Sequence, residues 1–162
     1  VAAVVQIVGY KNSGKTTLIT RLVKIFNDMN LRVAVIKHDL HGFEADREGT
    51  DSFRFRAAGA AGAAITSPWR TAVFEEQETP LVQLIEHFAQ YDLILVEGFK
   101  RERYPKMVLL RSTEDEPLIQ ELQQVIAVVQ KEANFAANPS GIRRFQRDEI
   151  KQMAAYIRHN LM

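Results

Sequence analysis

Residues 9–16 read Gly9-Tyr10-Lys11-Asn12-Ser13-Gly14-Lys15-Thr16, a G-x-x-x-x-G-K-T string. It follows the largely β-branched run Val4–Val8 and precedes a segment with apolar residues at Leu18, Leu22, Val23, Ile25 and Phe26. A strand, a glycine-rich loop and a helix in that order form the setting of a phosphate-binding loop. Each residue type has a physical reason. Glycine lets the backbone approach phosphate and adopt conformations that a side chain forbids. Amides at the start of a helix attract anions, and the helix dipole adds to the attraction. Lys15 is then placed to reach terminal phosphates, and the Thr16 hydroxyl to sit on Mg²⁺. The candidate nucleotide contacts are Gly9, Asn12, Ser13, Gly14, Lys15, Thr16 and Thr17. Lys11 is either a further phosphate contact or a solvated loop lysine.

The rest of the pattern places this loop in a layered fold. Thr16–Asn27 reads as a helix and Arg32–Lys37 as a second strand, completing a βαβ unit with parallel strands. His38–Gly62 is polar, with a helix expected at Asp51–Ala58 capped by Asp51 or Ser52. Ala63–Thr66 and Thr71–Glu75 read as a hairpin joined at Ser67–Arg70. Pro80–Phe88 reads as a helix with Thr79 as its N-cap. Further strands are expected at Leu93–Val96, Met107–Leu110 and Val125–Val129, and helices at Leu118–Gln124 and Asp148–Asn160. Such alternation means an α/β, P-loop NTPase-like fold: a mostly parallel central sheet flanked by helices, with a small hairpin extension. At 162 residues a single domain spanning 1–162 is expected.

Magnesium on a nucleotide needs an acid at the end of a neighbouring core strand. Leu93-Ile94-Leu95-Val96-Glu97-Gly98 supplies Glu97, while Asp92 opens the same strand and belongs at the opposite edge. Thr16 and Glu97 are therefore the candidate metal ligands. His38-Asp39-Leu40-His41 follows the second strand, at the edge where open α/β sheets bind ligands. His38 and His41 are candidates for substrate, switch or metal contact, or belong to a plain surface loop, and Asp51 is a candidate for a switch. Asp39, Asp46 and Asp51 are candidates to position water. Lys100, Arg101, Arg103 and Lys106 form a cationic run beside the phosphate site. It is either a second anion site, with Lys100 foremost, or a solvated loop. Trp69 and Phe74, by the hairpin, are either core residues or an exposed pairing edge that makes a dimer.

Composition trims the alternatives. The chain has no cysteine, so disulfides, thiolate metal sites and a cysteine nucleophile are excluded. A reducing, cytoplasmic setting is compatible with that composition. Net charge is +1, so neither nucleic acid nor an anionic membrane is an expected partner. No apolar run reaches the ~18 residues of a membrane span. Val1–Val8 lacks the basic start of a secretory leader, so none is expected. After Val125–Val129 the chain reads Gln130-Lys131-Glu132-Ala133-Asn134, which is not the Asn-Lys-x-Asp string that selects guanine in common GTPases. The residues leave the base open.

The chain resembles the molybdopterin-guanine dinucleotide biosynthesis protein B family, MobB. The resemblance rests on Val8–Leu18, on Ile36-Lys37-His38 with His41, on Asp46 and Gly49 through Asp51-Ser52, and on Ala58-Gly59-Ala60. Leu95-Val96-Glu97-Gly98-Phe99-Lys100 completes it. It implies a GTP- and Mg²⁺-binding accessory protein of molybdenum cofactor biosynthesis with at most weak GTP hydrolysis. It further implies a homodimer that assists a partner nucleotidyltransferase joining GMP to molybdopterin, and a molybdopterin contact. Several family members carry a further histidine near Leu40–Phe43. This chain has Leu40-His41-Gly42, so roles needing adjacent histidines are not carried over. A metal-delivery GTPase and a small-molecule phosphotransferase, with the Lys100–Lys106 run holding the acceptor, are the alternative readings.

Overall fold

Val5 and Ile7 face one side of the first strand and Val8 the other, and the sheet is built outward from it. The computed structural model describes residues 1–131 and 141–162, so residues 132–134 of the base-reading comparison lie outside the described residues. In chain order the elements are β1 (Ala3–Gly9), α1 (Lys15–Asp28), β2 (Val33–Lys37), α2 (Asp51–Ala57), β3 (Gly62–Ser67) and β4 (Arg70–Glu75). They continue with α3 (Leu81–His87), β5 (Leu93–Glu97), β6 (Lys106–Leu110), α4 (Pro117–Glu121), β7 (Val125–Gln130), β8 (Arg143–Gln146) and α5 (Ile150–Leu161). They fall into two compact units, Val1–His38 with Leu84–Met162, and Asp39–Gln83. No helix among the described residues is long and apolar enough to cross a membrane.

The larger unit holds a six-stranded sheet in the order β2-β5-β1-β6-β7-β8, with every neighbouring pair parallel. One face packs Val5, Ile7, Met107, Leu109, Ala127 and Val129 beneath Leu22 and Phe26 of α1 and Met153 and Ile157 of α5. The other face sets Val8, Val108, Leu110 and Val128 against Leu118 and Ile119 of α4. Burying both faces is what parallel strands require. Helix α1 stops where Asn30 turns into the left-handed region at φ 60°, and the Leu31 amide returns to the Phe26 carbonyl.

Three expectations are corrected. A sixth core strand, β8, follows the five read from the pattern. Its sequence is Arg143-Arg144-Phe145-Gln146 and only Phe145 is buried, so a short edge strand leaves no periodic signal. Helix α4 ends at Glu121 rather than Gln124, because Leu122 is extended and Gln124 sits at φ 55°. Helix α3 begins at Leu81, after Pro80, and Thr79 donates its hydroxyl to Glu75.

Strands β5 and β6 flank β1, yet only residues 98–105 join them, fewer than the usual crossover. The connection is pinned to the sheet by Gln6, the one polar residue within Val4–Val8, which is fully buried. The Gln6 amide nitrogen donates to the carbonyls of Gly98 at 2.9 Å and Phe99 at 2.7 Å, and its oxygen accepts from the Tyr104 amide at 3.3 Å. Lys106, paired with Gln6 across the ladder and equally buried, donates its ammonium to the carbonyls of Glu102 and Tyr104. Burial lowers its pKa. Two buried polar side chains thus replace the helix that normally makes such a crossover.

In the smaller unit, α2 is capped by Thr50, whose hydroxyl accepts from the Phe53 amide. Asp51 is the first helical residue instead, and Ser52 is buried with its hydroxyl on Asp46 at 3.1 Å, so neither is the cap. Arg56 gathers Glu44 at 3.1 Å, Asp46 at 3.3 Å and Glu76 at 2.6 Å, and its guanidinium lies 4.7 Å over the Phe74 ring. That hub ties the segment before α2 to the end of the β3–β4 hairpin. The hairpin pairs Ser67 with Arg70 around the turn, as read from the sequence.

The Gln6 contacts generate a prediction. Gln6→Leu keeps the strand apolar but leaves the Gly98 carbonyl and the Tyr104 amide without Gln6 and the Phe99 carbonyl with the Glu102 amide alone, a loss of about 2–4 kcal/mol. Chemical denaturation should show that loss, with faster amide exchange confined to residues 98–105. A variant within about 0.5 kcal/mol of wild type, which is the range of ordinary surface changes, would contradict it.

Candidate functional site

The loop of residues 9–16 leaves the carboxyl end of β1 and enters α1. The Ser13 amide turns back to the Tyr10 carbonyl at 3.2 Å, Asn12 lies at φ 60° and Gly14 at φ 93° as the residue before the helix. A Cβ on Gly9 would stand 2.6 Å from Ser13 Oγ and 2.8 Å from the Leu109 carbonyl, so only glycine fits there. Among the described residues no side chain caps the first amides of α1, and no acid occupies its first turn. Those amides and the helix dipole are left for an external anion. The Ser13 hydroxyl is buried and has no hydrogen-bond partner among the described residues.

Four side chains from three elements meet beside this loop. The Lys15 ammonium folds onto the loop, donating to the carbonyls of Gly9 at 3.1 Å and Tyr10 at 2.8 Å. Thr16 donates its hydroxyl to Glu97 at 3.2 Å, and Lys37 donates to the same carboxylate at 3.4 Å. Register explains the meeting: Lys37, Glu97 and Ile7 are aligned across β2, β5 and β1. Asp92 lies at the other end of β5, accepting from the Arg32 amide, as its position before the strand implies. A buried carboxylate beside a helix-start hydroxyl is an oxygen pair suited to magnesium. Burial lowers the Lys15 pKa; Glu97 opposes the shift, while Lys100, Lys37 and Arg111 add to it. The charges acting on Lys15 are thus three cations, Lys37, Lys100 and Arg111, and one carboxylate, Glu97.

The remaining candidates divide between the units. His38 stacks on the Phe99 ring at 4.3 Å, beside Gly98, which lies at φ 93°. Lys100 Nζ lies 4.8 Å over the Tyr10 ring, in the loop's own unit. Lys11 and Thr17 are exposed. Asp39, His41, Asp46 and Asp51 belong to the smaller unit. Asp39 accepts from the His41 amide at 3.0 Å in a local turn, Asp46 is held by Ser52 and Arg56, and Asp51 is exposed. Among the described residues no group of three or more His, Asp or Glu side chains is arranged to hold a metal ion.

Two arginines at this edge were not singled out by the sequence. Arg111 directly follows β6 and lies 4.9 Å over the Tyr10 ring, with two 2.9 Å bonds to Asp115. Its place directly after a core strand was the available signal. Arg147 follows β8, a strand the pattern did not show. Tyr10, Lys100, Arg101, Leu118 and Leu122, with Glu121 and Gln123, line a cleft of about 390 Å³ beside the loop.

Comparison with known proteins places this arrangement. The family profile of Molybdopterin guanine dinucleotide synthesis protein B (MobB) matches residues 4–131. A Haemophilus influenzae molybdopterin-guanine dinucleotide biosynthesis adapter protein is 39% identical over 128 residues, covering 75% of this chain and 71% of that protein. A Bacillus subtilis protein, named as a probable adapter of the same kind, is 33% identical over 150 residues, covering 90% and 86%. The crystal structure of Bacillus subtilis MobB superposes with a TM-score of 0.82 at 32% identity, covering 99% of this chain and 98% of that one.

Lys15 carries a testable consequence. A bound polyphosphate stabilises its charged form, so binding above the lowered pKa takes up a proton and weakens as pH rises. Tripolyphosphate affinity, followed by calorimetry from neutral to alkaline pH, should fall in the wild type. In Lys15→Ala it should be at least about tenfold weaker at neutral pH, the loss expected for a charge-assisted contact, and largely flat with pH. Equal affinity in wild type and variant would remove the loop from the site.

Proposed function

The chain belongs to the MobB family, and from that premise we propose that it is a GTP-binding adapter in molybdenum cofactor biosynthesis. The observation that carries the nucleotide reading is the meeting of Thr16 and Glu97 beside uncapped helix amides. The residues fit the group: Gly9 admits no side chain, Lys15 supplies a cation, and Thr16 with Glu97 supplies oxygen ligands for Mg²⁺. When bound, the ion neutralises charge on the terminal phosphates. With the group bound, Lys15 would turn from the Gly9 and Tyr10 carbonyls to phosphate, and Thr16 and Glu97 would offer their oxygens to the metal. Guanine as the base rests on the family alone.

Hydrolysis is proposed to be weak at most. Of the acids first considered for positioning water, Asp46 is committed to Ser52 and Arg56 and Asp39 to a turn. The adapter role assigns the bound nucleotide to a partner enzyme of the pathway, a nucleotidyltransferase that joins GMP to molybdopterin, with molybdopterin itself in contact. A homodimer is supported by the smaller unit, where Phe55, Ile65, Trp69 and Val73 are exposed around a two-stranded hairpin. Such a hairpin is marginal in water without a cover, and a second copy of the chain is proposed to provide one. A phosphotransferase remains the second reading, because the cleft at Tyr10, Lys100 and Arg101 could seat an anionic acceptor beside the loop. Product formation from GTP and such an acceptor, without any protein partner, would support it. Nothing favours the metal-delivery reading: His38 is stacked on Phe99, and among the described residues no three or more His, Asp or Glu side chains are grouped to hold an ion.

Calorimetry with GTP–Mg²⁺ and ATP–Mg²⁺, with and without the transferase, tests the adapter reading. GTP should bind at least about tenfold more tightly, a difference of about 1.4 kcal/mol, and the transferase should join the GTP-bound chain. Equal affinities would remove guanine from the reading. Sedimentation should show a dimer that Trp69→Ser weakens; a wild-type monomer at micromolar concentration would overturn that part.

A further inference from the structure

Arg111 and Arg147 follow the ends of β6 and β8, Arg144 lies within β8, and two of these three arginines have acids. Arg111 is paired with Asp115, and Arg144 with Glu116 at 2.7 Å. Arg147, in the turn between β8 and α5, is paired with no carboxylate among the described residues. Its Nη2 donates a long 3.4 Å bond to the Leu110 carbonyl. Its Nε is buried and has no acceptor among the described residues. A desolvated donor without a partner is costly unless something else supplies the acceptor.

The position of this guanidinium is specific. A Cβ built on Gly14 would lie 2.8 Å from Nη1 and 3.6 Å from Cζ, so Arg147 rests against the last glycine of the loop, at the start of α1. The sheet order separates it from Lys37. Glu97 and Lys37 end β5 and β2, on one side of β1; β6, β7 and β8 lie on the other. Thr16 and Glu97 mark where magnesium and the terminal phosphates belong. A triphosphate laid from there along the start of α1 would cross Gly14, the residue Arg147 rests against.

We propose that Arg147 is a nucleotide-binding residue whose guanidinium donates to a non-bridging oxygen of the α-phosphate. The proposal rests on the nucleotide reading above. It accounts for an arginine at a helix N-terminus with no carboxylate partner among the described residues, where a permanent cation is otherwise unfavourable. It also supplies positive charge at the end of the polyphosphate opposite Lys15. The planar fork of arginine suits phosphate oxygens.

The test uses the full chain, GTP–Mg²⁺ and the two diastereomers of guanosine 5′-O-(1-thiotriphosphate), which carry sulfur on one or the other α-oxygen. Wild type should bind one diastereomer about tenfold more weakly than the other, the loss expected when one charge-assisted hydrogen bond is spoiled. Arg147→Gln should bind GTP about tenfold more weakly and lose the discrimination, and Arg147→Lys should recover part of the affinity. Thermal unfolding of each variant verifies the fold. Unchanged GTP affinity in Arg147→Gln would overturn the assignment. Weakened GTP binding with the diastereomer preference intact would also overturn it, leaving only a packing role against Gly14. A wild-type chain that binds no GTP would overturn the nucleotide reading and this inference with it.

Discussion

The parallel pairing of β5 with β1 is the constraint on which the site depends. It sets Glu97 level with Ile7, at the height where β1 gives way to the loop, and so brings a carboxylate from late in the chain onto the Thr16 hydroxyl. Without that register the loop would be a glycine-rich turn with a lysine folded onto its own carbonyls. Lys37, carried on the other side of β5, gives the largely buried Glu97 a counter-charge while Thr16 gives it a hydrogen bond. The contacts among Thr16, Lys37 and Glu97 are in place without a ligand, so the magnesium nucleotide proposed to bind there would find these groups already gathered.

A short crossover carries the flank of this site. Residues 98–105 turn from β5 to β6 over β1, and Phe99 and Lys100 sit beside the loop because Gln6 and Lys106 hold the segment by its backbone. The consequence is local: Phe99 supports His38, and Lys100 stands over Tyr10, adding its charge to the field that depresses Lys15. A buried glutamine in a core strand is costly unless fully bonded. Here it bonds through both ends of its amide, which makes it a fastener for the functional loop.

What could be read from the sequence was what is local or follows from strand ends. The Gly9–Thr16 loop is contiguous, and Glu97 follows four apolar residues, so the carboxyl-edge rule was enough to pair them. The parallel sheet and the hairpin followed from alternating elements. What escaped depends on tertiary partners. Strand β8 has one buried residue and two arginines, and becomes a strand only by lying along β7. With β8 unseen, Arg147 had no position. Gln6 passed unnoticed inside an apolar run because its partners lie more than ninety residues away. The cap of α2 fell to Thr50 because Ser52 turned inward to Asp46, a choice made by packing rather than by cap preference.

The central claim is that Thr16 and Glu97 hold a magnesium ion on a nucleotide cradled by residues 9–16. A crystal structure of the chain with a non-hydrolysable GTP analogue and Mn²⁺ in place of Mg²⁺ measures it directly, through the anomalous signal of the metal. The account predicts a metal peak about 2.1–2.3 Å from Thr16 Oγ1, in the range of hard-cation oxygen ligation. It also predicts Glu97 on the metal or on its bound water, and Lys15 moved from the loop carbonyls to phosphate. A nucleotide bound elsewhere, or a metal peak away from Thr16 with Glu97 still held by Lys37, would contradict it.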